Sequence, residues 1–161
     1  MTKIGLTIGK FAPFHKGHEY LIETALKRVD KLYILIYETD VIDTDIKIRR
    51  KWIEEIFKNL NIEVLEAKNP PMKYGMDEET IKEQTNYILN ILEKNNILRI
   101  THFFSSEEYG KYVAETLNAE NIIVDKQRVK LPINATNIRE NIEKYKKYLS
   151  EIVYKDLKKR A

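Results

Sequence analysis

The chain has 161 residues, of which 43% are apolar and 33% charged, with a formal net charge of +3. This composition is typical of one globular domain with a sizeable core. The absence of cysteine excludes disulfides, thiolate metal sites and thiol nucleophiles. No apolar run approaches the roughly 20 residues of a membrane span, and the small, dispersed positive charge does not indicate nucleic-acid binding. We therefore expect a cytoplasmic protein without membrane or nucleic-acid partners.

Short β-branched stretches alternate with helix-like stretches along the whole chain. The predicted strands are Ile4–Ile8, Lys31–Tyr37, Ile62–Glu66, Ile100–Ser105 and Asn121–Asp125. Apolar residues at helical spacing separate them, over Leu21–Val29, Trp52–Leu60, Ile81–Leu92 and Val113–Leu117. Such alternation predicts parallel strands joined by right-handed helical crossovers. The expected fold is therefore α/β, a Rossmann-like open parallel five-stranded sheet with helices on both faces.

Nothing in the sequence divides the chain, so we predict one domain over residues 1–161. An apolar stripe from Ile138 to Val153 predicts a helical end over residues 137–160. Three tyrosines in that end allow a subunit contact, and therefore a homo-oligomer, but packing in the core explains them equally well. They are Tyr145, Tyr148 and Tyr154. Consecutive prolines make Asn69–Met76 a loop, and Asp77 is a candidate cap for the helix after it.

The most informative stretch is the turn Gly9–His18, between the first predicted strand and the first predicted helix. Backbone N–H groups and the positive end of the helix dipole favour an anion at such a place. Gly9 and Gly17 allow the backbone to approach a ligand closely. His15 and His18 can both face that ligand. The alternative is that the two histidines only cap the helix or pack against it.

Further polar residues lie at or after the carboxyl ends of later strands. They are Ser106, Asp125 and the segment Asn134–Arg139. Ligands of open parallel sheets bind at that edge, so we expect these residues and the histidine turn to line one cleft. Ser106 and Thr136 could instead cap their helices. Arg139 would then be solvated, or would point back at an anion.

Two segments of the chain resemble the signatures of the HxGH nucleotidyltransferase superfamily, GxFxPxHxGH and ISxTxxR. The first signature is matched at every defined position, by Gly9, Phe11, Pro13, His15, Gly17 and His18. The second is matched by Ile133, Thr136 and Arg139, with Asn134 in place of the usual serine. We refer to residues 9–18 and 133–139 as the first and second signatures.

Within that superfamily, the chain is most similar to the nicotinamide mononucleotide adenylyltransferase domain of the NadR type. The segments that carry this similarity are Phe104–Gly110, Val124–Asp125 with Arg128, Ile133–Asn141 and the helix start Arg49–Trp52. The resemblance implies transfer of AMP from ATP to nicotinamide mononucleotide, which forms NAD and pyrophosphate. It also implies that Mg²⁺ is bound mainly through the ATP phosphates and water rather than by a protein metal site.

The resemblance assigns a role to each candidate residue. The expected catalytic residues are His15, His18 and Arg139. The expected nucleotide-binding residues are Gly9, Lys10, Phe11, Gly17, Ser106, Asp125, Asn134 and Thr136. Proteins of this group usually offer a tryptophan from the loop before the long helix to stack on nicotinamide. Here Tyr74 is the only aromatic residue of Met72–Met76, so it is our candidate for the second substrate.

Two other functions stay open at this point. The same chemistry could serve a different phosphate, as an adenylyl- or cytidylyltransferase, because Tyr74 offers less stacking area than tryptophan. The chain could also be a nucleotide-binding sensor without turnover. Asn134 favours that reading, whereas the intact His15, His18 and Arg139 argue against it.

Overall fold

A single parallel sheet lies at the centre of the protein, of which the computed structural model describes residues 1–71 and 75–160. Its strands are β1 (Ile4–Gly9), β2 (Lys31–Tyr37), β3 (Ile62–Ala67), β4 (His102–Ser105) and β5 (Glu120–Ile123). They pair in the order β3-β2-β1-β4-β5, and every pairing is parallel. The prediction of an open five-stranded parallel sheet is confirmed.

Helices connect the strands and complete the chain. They are α1 (Lys16–Leu26), α2 (Ile46–Ile56), α3 (Glu78–Lys94), α4 (Gly110–Leu117), α5 (Ala135–Glu140) and α6 (Glu151–Lys159), with a 3₁₀ turn at Lys146–Tyr148. Side-chain caps begin α2 and α3, where Asp45 accepts from Lys47 N at 2.9 Å and Asp77 from Thr80 N at 3.1 Å. In the described ranges, no helix combines the length and apolarity needed to cross a bilayer.

Apolar side chains cover both faces of the sheet. On one face Phe14, Trp52 and Val153 pack against the strands, and they come from the α1, α2 and α6 side. On the other face Phe103 meets Ile88 and other residues of α3 and α4. Burial of this apolar surface is the main driving force for the fold. The predicted helices on both faces are therefore present.

The helical end predicted over residues 137–160 is not a single helix, because the backbone is divided into α5, the 3₁₀ turn and α6. The break follows Asn141, whose Oδ1 accepts from Lys144 N at 3.1 Å and so competes with helical hydrogen bonding. The apolar stripe still reaches the core, since Ile138 and Val153 are fully buried. The three tyrosines of this region also pack against the core, and a homo-oligomer stays a prediction.

Polar contacts tie α6 to the rest of the fold. Trp52 donates from Nε1 to Asp156 at 2.8 Å, which joins α2 to α6. Ser150, which precedes α6, donates to the buried carboxylate of Glu19 on α1 at 2.7 Å. Trp52 and Glu19 are both buried, so these bonds fix the position of α6 as well as adding to stability.

Candidate active site

A cavity of about 1200 Å³ opens at the carboxyl edge of the sheet. All the described residues that the sequence predicts for catalysis and nucleotide binding line it. They are Gly9, Lys10, Phe11, His15, Gly17, His18, Ser106, Asp125, Asn134, Thr136 and Arg139. The structure thus brings the two signatures to one cavity. Tyr74 lies outside the described residues, and its role stays a prediction.

The two histidines of the first signature cap α1 together. Nδ1 of His15 accepts from Gly17 N at 3.0 Å, and Nδ1 of His18 accepts from His15 N at 3.2 Å. Their rings stack with centroids 3.7 Å apart, and the His18 ring also stacks on Phe14. The alternative that the two histidines cap the helix is therefore confirmed. It does not exclude a role in binding, because both rings line the cavity.

The capping bonds also determine which ring nitrogens carry protons. A nitrogen that accepts a hydrogen bond has no proton, so these bonds assign the proton of each neutral ring to Nε2. Burial, reinforced by the charge of Arg128, lowers the pKa of His15 to about 4. Burial, with His15 and Arg128 adding to it, lowers the pKa of His18 well below its usual value. At neutral pH the pair therefore offers two uncharged N–H donors.

These low pKa values predict a loss of stability in acid. Histidines of the unfolded chain titrate near pH 6.5, so below that pH the unfolded state binds more protons than the folded state. The contribution of His15 is complete above about pH 6.5 and is lost as the pH falls towards 4. The expected loss from His15 is about 3 kcal/mol of unfolding free energy.

Urea unfolding at several pH values between 7.5 and 4 measures this loss. The control is His15→Asn, because asparagine is a good N-cap and can accept from Gly17 N without titrating. The variant should lose less stability than the wild type over the same pH range. An identical pH dependence in both proteins would contradict the assignment to His15.

The second signature begins α5 and contacts the first. Asn134 is the N-cap, since its Oδ1 accepts from Asn137 N at 2.9 Å; the alternative of Thr136 as the cap is wrong. Arg139 donates from Nη2 to Thr136 Oγ1 at 3.3 Å and from Nη1 to the carbonyl oxygen of Ala12 at 2.6 Å. A guanidinium from one signature therefore holds the backbone of the other.

The loop after β5 is built around Asp125. Its backbone has a φ of 48°, and its carboxylate accepts from the N–H groups of Lys130 and Leu131 at 2.9 and 3.0 Å. These backbone bonds lower the pKa of Asp125, with Lys130 N contributing most. The carboxylate therefore shapes the loop at the cavity wall. If the Asp125 carboxylate also contacts a ligand, its oxygens must serve the ligand and these two backbone N–H groups at once.

Arg128 is a cation of the cavity wall that our sequence-based set of site residues does not include. Its Nη1 donates to the carbonyl oxygen of Ile133 at 3.0 Å, which fixes the start of the second signature. Its charge also contributes to the low pKa values of both histidines. The available signal was its position three residues after Asp125 at the end of a predicted strand.

Helices α3 and α4 form the opposite wall, which is mostly uncharged. It includes the apolar Ile88 and Val113 and the polar Thr80, Gln84 and Thr85. Helical periodicity identifies the apolar members as core, but it carries no information on which polar neighbours face a ligand. In the described part of the chain, neither helix contributes a lysine or arginine to the lining.

The wall cations of the described chain, Lys10, Arg128 and Arg139, all lie on the other side of the cavity, in or next to the two signatures. Their positive charge and the two histidine N–H donors suit a polyanion. The cavity therefore has a basic side for phosphates and an uncharged side for a less polar group.

Comparison with known proteins identifies the family. Residues 4–156 match the family model of the citrate lyase ligase C-terminal domain. The trifunctional NAD biosynthesis/regulator protein NadR of Salmonella typhimurium is 28% identical over 162 residues, which cover 91% of this chain and 38% of that protein. The phosphopantetheine adenylyltransferase of Streptococcus sanguinis is 41% identical over 71 residues, or 42% of this chain and 43% of that protein.

Solved structures show the same fold. The crystal structure of NadR in complex with NAD and AMP-PNP has a TM-score of 0.71 and 22% identity, and the match covers 94% of this chain and 46% of that one. The chain thus spans less than half the length of these relatives. The family match extends over both signatures and nearly all of the sheet and helices. The chain therefore belongs to the family of the citrate lyase ligase C-terminal domain, and it is similar to NadR over most of its length.

Proposed function

We propose that this domain transfers AMP from ATP to nicotinamide mononucleotide, forming NAD and pyrophosphate. The observation that carries the proposal is the meeting of the two signatures at one cavity, where Arg139 holds the carbonyl of Ala12 beside two neutral histidine donors. The relatives support the substrates. NadR is named for NAD biosynthesis, and its solved structure contains NAD and AMP-PNP.

In the proposed step a phosphate oxygen of the mononucleotide attacks the α-phosphorus of ATP. A new P–O bond forms there, the bond from the α-phosphorus to the bridging oxygen breaks, and that oxygen leaves with the electron pair as part of pyrophosphate. A phosphate monoester has a second pKa near ~6 and is mostly ionised at neutral pH, so no general base is needed. Catalysis then consists of positioning and charge stabilisation.

The histidine pair supplies donors for the reacting phosphate. We assign the Nε2–H groups of His15 and His18 to the triphosphate, with His18 nearest the α-phosphoryl oxygens. Because their Nδ1 atoms stay engaged in capping α1, both rings are held in place before a ligand arrives. Because both rings are neutral, they can donate to phosphate without the free-energy cost of burying a charged imidazolium.

The second signature would hold the leaving group. We assign Arg139 and Thr136 to the β- and γ-phosphates. Asn134 uses its Oδ1 as a cap, which leaves its amide N–H groups as the donors for phosphate. Asparagine thus keeps the donor function that the usual serine provides. Ser106 and Asp125 remain our candidates for contacts with the nucleotide at the same wall.

ATP is expected to enter as its magnesium complex. The described residues contain no group of three or more histidine, aspartate or glutamate side chains placed to hold a metal ion. We assign the ion to the phosphates and several waters, as is common for Mg²⁺. The protein residues would then position the phosphates, and the ion would offset their charge.

The direct test is the reaction of the purified protein with ATP, Mg²⁺ and nicotinamide mononucleotide. Equal amounts of NAD and pyrophosphate support the proposal, with NAD measured by a coupled dehydrogenase. CTP and a panel of other phosphates, including nicotinic acid mononucleotide and 4′-phosphopantetheine, are tested in parallel. Nucleotide binding without pyrophosphate release from any pair would instead indicate a sensor.

A second candidate is the same transfer to a different phosphate acceptor. The match to phosphopantetheine adenylyltransferase favours it, because that protein is named for adenylyl transfer to a different acceptor. The uncharged wall of α3 and α4 would accommodate either acceptor. Pyrophosphate release with 4′-phosphopantetheine, and none with nicotinamide mononucleotide, would select this candidate.

Gly17 is expected to be needed for turnover because it packs against the His15 ring. A methyl group at Gly17 would lie 2.7 Å from Cε1 of His15 and 3.0 Å from its Nδ1. Gly17→Ala should therefore push the ring from its capping position and lower turnover by about 10–100-fold. Glu23→Ala, at an exposed position of the same helix, is the matched control. Turnover in Gly17→Ala within twofold of that control would show that the ring tolerates the methyl group.

A further inference from the structure

Arg49 on α2 is fully buried, although it does not line the cavity. Its Nη1 donates to the carbonyl oxygens of Lys10 and, at 3.1 Å, of Tyr37. Its Nε and Nη2 find no acceptor among residues 1–71 and 75–160. Burial of a guanidinium is costly unless its donors are paired, and it lowers the pKa of Arg49. The two bonds to backbone carbonyls offset only part of this cost. We therefore look for the function of Arg49 in the carbonyls that it holds.

The first of those bonds fixes a strained part of the first signature. Phe11 has a φ of 50°, in the left-handed region that is unfavourable for a residue other than glycine. The peptide between Lys10 and Phe11 is trans, so its C=O and N–H groups point in opposite directions. Because Arg49 holds the carbonyl from the α2 side, the N–H of Phe11 is directed away from α2.

The turn is held from a second side as well. Arg139 donates to the carbonyl of Ala12, so two guanidinium groups bind carbonyls that lie two residues apart. Lys10 and Phe11 both line the cavity. The orientation of this short segment therefore determines which of its backbone N–H and C=O groups face a phosphate in the cavity.

We propose that Arg49 is a positioning residue that orients the Lys10–Phe11 peptide so that the N–H of Phe11 faces the phosphates of the bound nucleotide. It acts through the backbone and touches no substrate. The same Nη1 holds the carbonyl of Tyr37, at the end of β2, so the turn is fixed relative to the neighbouring strand. This inference rests on the proposed transfer reaction.

The kinetic test compares Arg49→Met, Arg49→Lys and the control Arg50→Met. Methionine fills a similar volume without donors, whereas lysine restores donors and charge at one point. Arg50 is the next residue of the same helix and pairs at the surface with Glu54 and Glu66. We expect Arg49→Met to lower kcat/KM for ATP by about 10–100-fold, since a misplaced N–H loses its contact with the phosphates in the bound state as well as in the transition state. Arg49→Lys should recover part of kcat/KM, and Arg50→Met should stay within twofold of the wild type.

Two kinetic outcomes would overturn the proposal. One is a kcat/KM for ATP of Arg49→Met that lies within twofold of the wild type when both are assayed well below their unfolding temperatures. The other is an Arg49→Lys variant that is folded but no better than Arg49→Met, because the packing of the side chain, and not its donors, would then matter.

A measurement on the wild type keeps the proposal testable if Arg49→Met does not fold. In protein labelled with ¹⁵N, addition of AMP-PNP and Mg²⁺ should move the amide proton of Phe11 downfield, as expected for a new bond to phosphate. An unchanged Phe11 resonance at saturation would refute the inference even if NAD is formed. Failure to form NAD with a shifted Phe11 resonance would instead refute the proposed acceptor and leave the inference standing.

Discussion

His18→Ala is expected to lower turnover by about 10²–10³-fold, the scale of losing one preorganised transition-state donor. The ring carries its proton on Nε2 and is neutral at pH 7, so its loss removes an N–H group from the cavity without removing a charge. The measurement is steady-state formation of NAD or pyrophosphate at saturating substrates. Turnover close to that of the wild type would refute the assignment of His18 to the reacting phosphate.

One further variant, compared with a control, separates the donor from the cap. His18→Asn places an amide oxygen where Nδ1 was, so it keeps an acceptor for His15 N but loses the Nε2 donor. It should fold like the wild type and turn over as slowly as His18→Ala. His102→Ala is the control, because His102 lies outside the cavity and pairs with Glu120 at 3.2 Å. Its turnover should be unchanged.

Arg139→Ala is expected to raise the KM for ATP by about 10–100-fold, the equivalent of one charged hydrogen bond. The guanidinium has two functions in the structure, since it lines the cavity and holds the carbonyl of Ala12 at 2.6 Å. Loss of the second function should also loosen the first signature, so kcat should fall as well. Calorimetric titration with AMP-PNP measures the binding part alone.

Arg139→Lys separates charge from geometry. Lysine keeps the positive charge near the phosphates, but a single ammonium cannot reproduce the planar set of donors that reaches both Thr136 and Ala12. We expect affinity for AMP-PNP between those of the wild type and Arg139→Ala. Unchanged affinity in Arg139→Ala would show that Arg139 serves only the backbone of the turn.

The parts of the fold that were predictable are those that local patterns determine. β-branched runs and helical spacing located the strands within about two residues, since a buried parallel strand must be apolar on both faces. The apolar stripe from Ile138 to Val153 was also correct as a list of inward positions. It did not reveal the break at Asn141, because a chain can keep the same residues facing the core while its backbone leaves the helix.

The features of the site likewise divide into those that the local sequence predicts and those that depend on the folded structure. The glycine and histidine spacing of the first signature was sufficient to locate the cavity. The protonation of the pair was not predictable, because it depends on which backbone N–H groups each ring meets after folding. Arg49, Arg50 and Lys51 are three consecutive cations, and arginine and lysine side chains are usually exposed to solvent. Only the packing of α2 against the sheet places the first of them in the interior.

The bond between Arg139 and Ala12 joins residues 127 positions apart, and it closes the wall of the cavity. Any partial opening that releases α5 from the centre of the sheet therefore dismantles the nucleotide site at the same time. A bound ligand must then oppose every such opening, by about 2.7 kcal/mol when its free concentration is a hundred times its dissociation constant. In a cell with abundant ATP, the nucleotide would act as a noncovalent crosslink between distant segments, and supply of substrate would extend the lifetime of the folded protein.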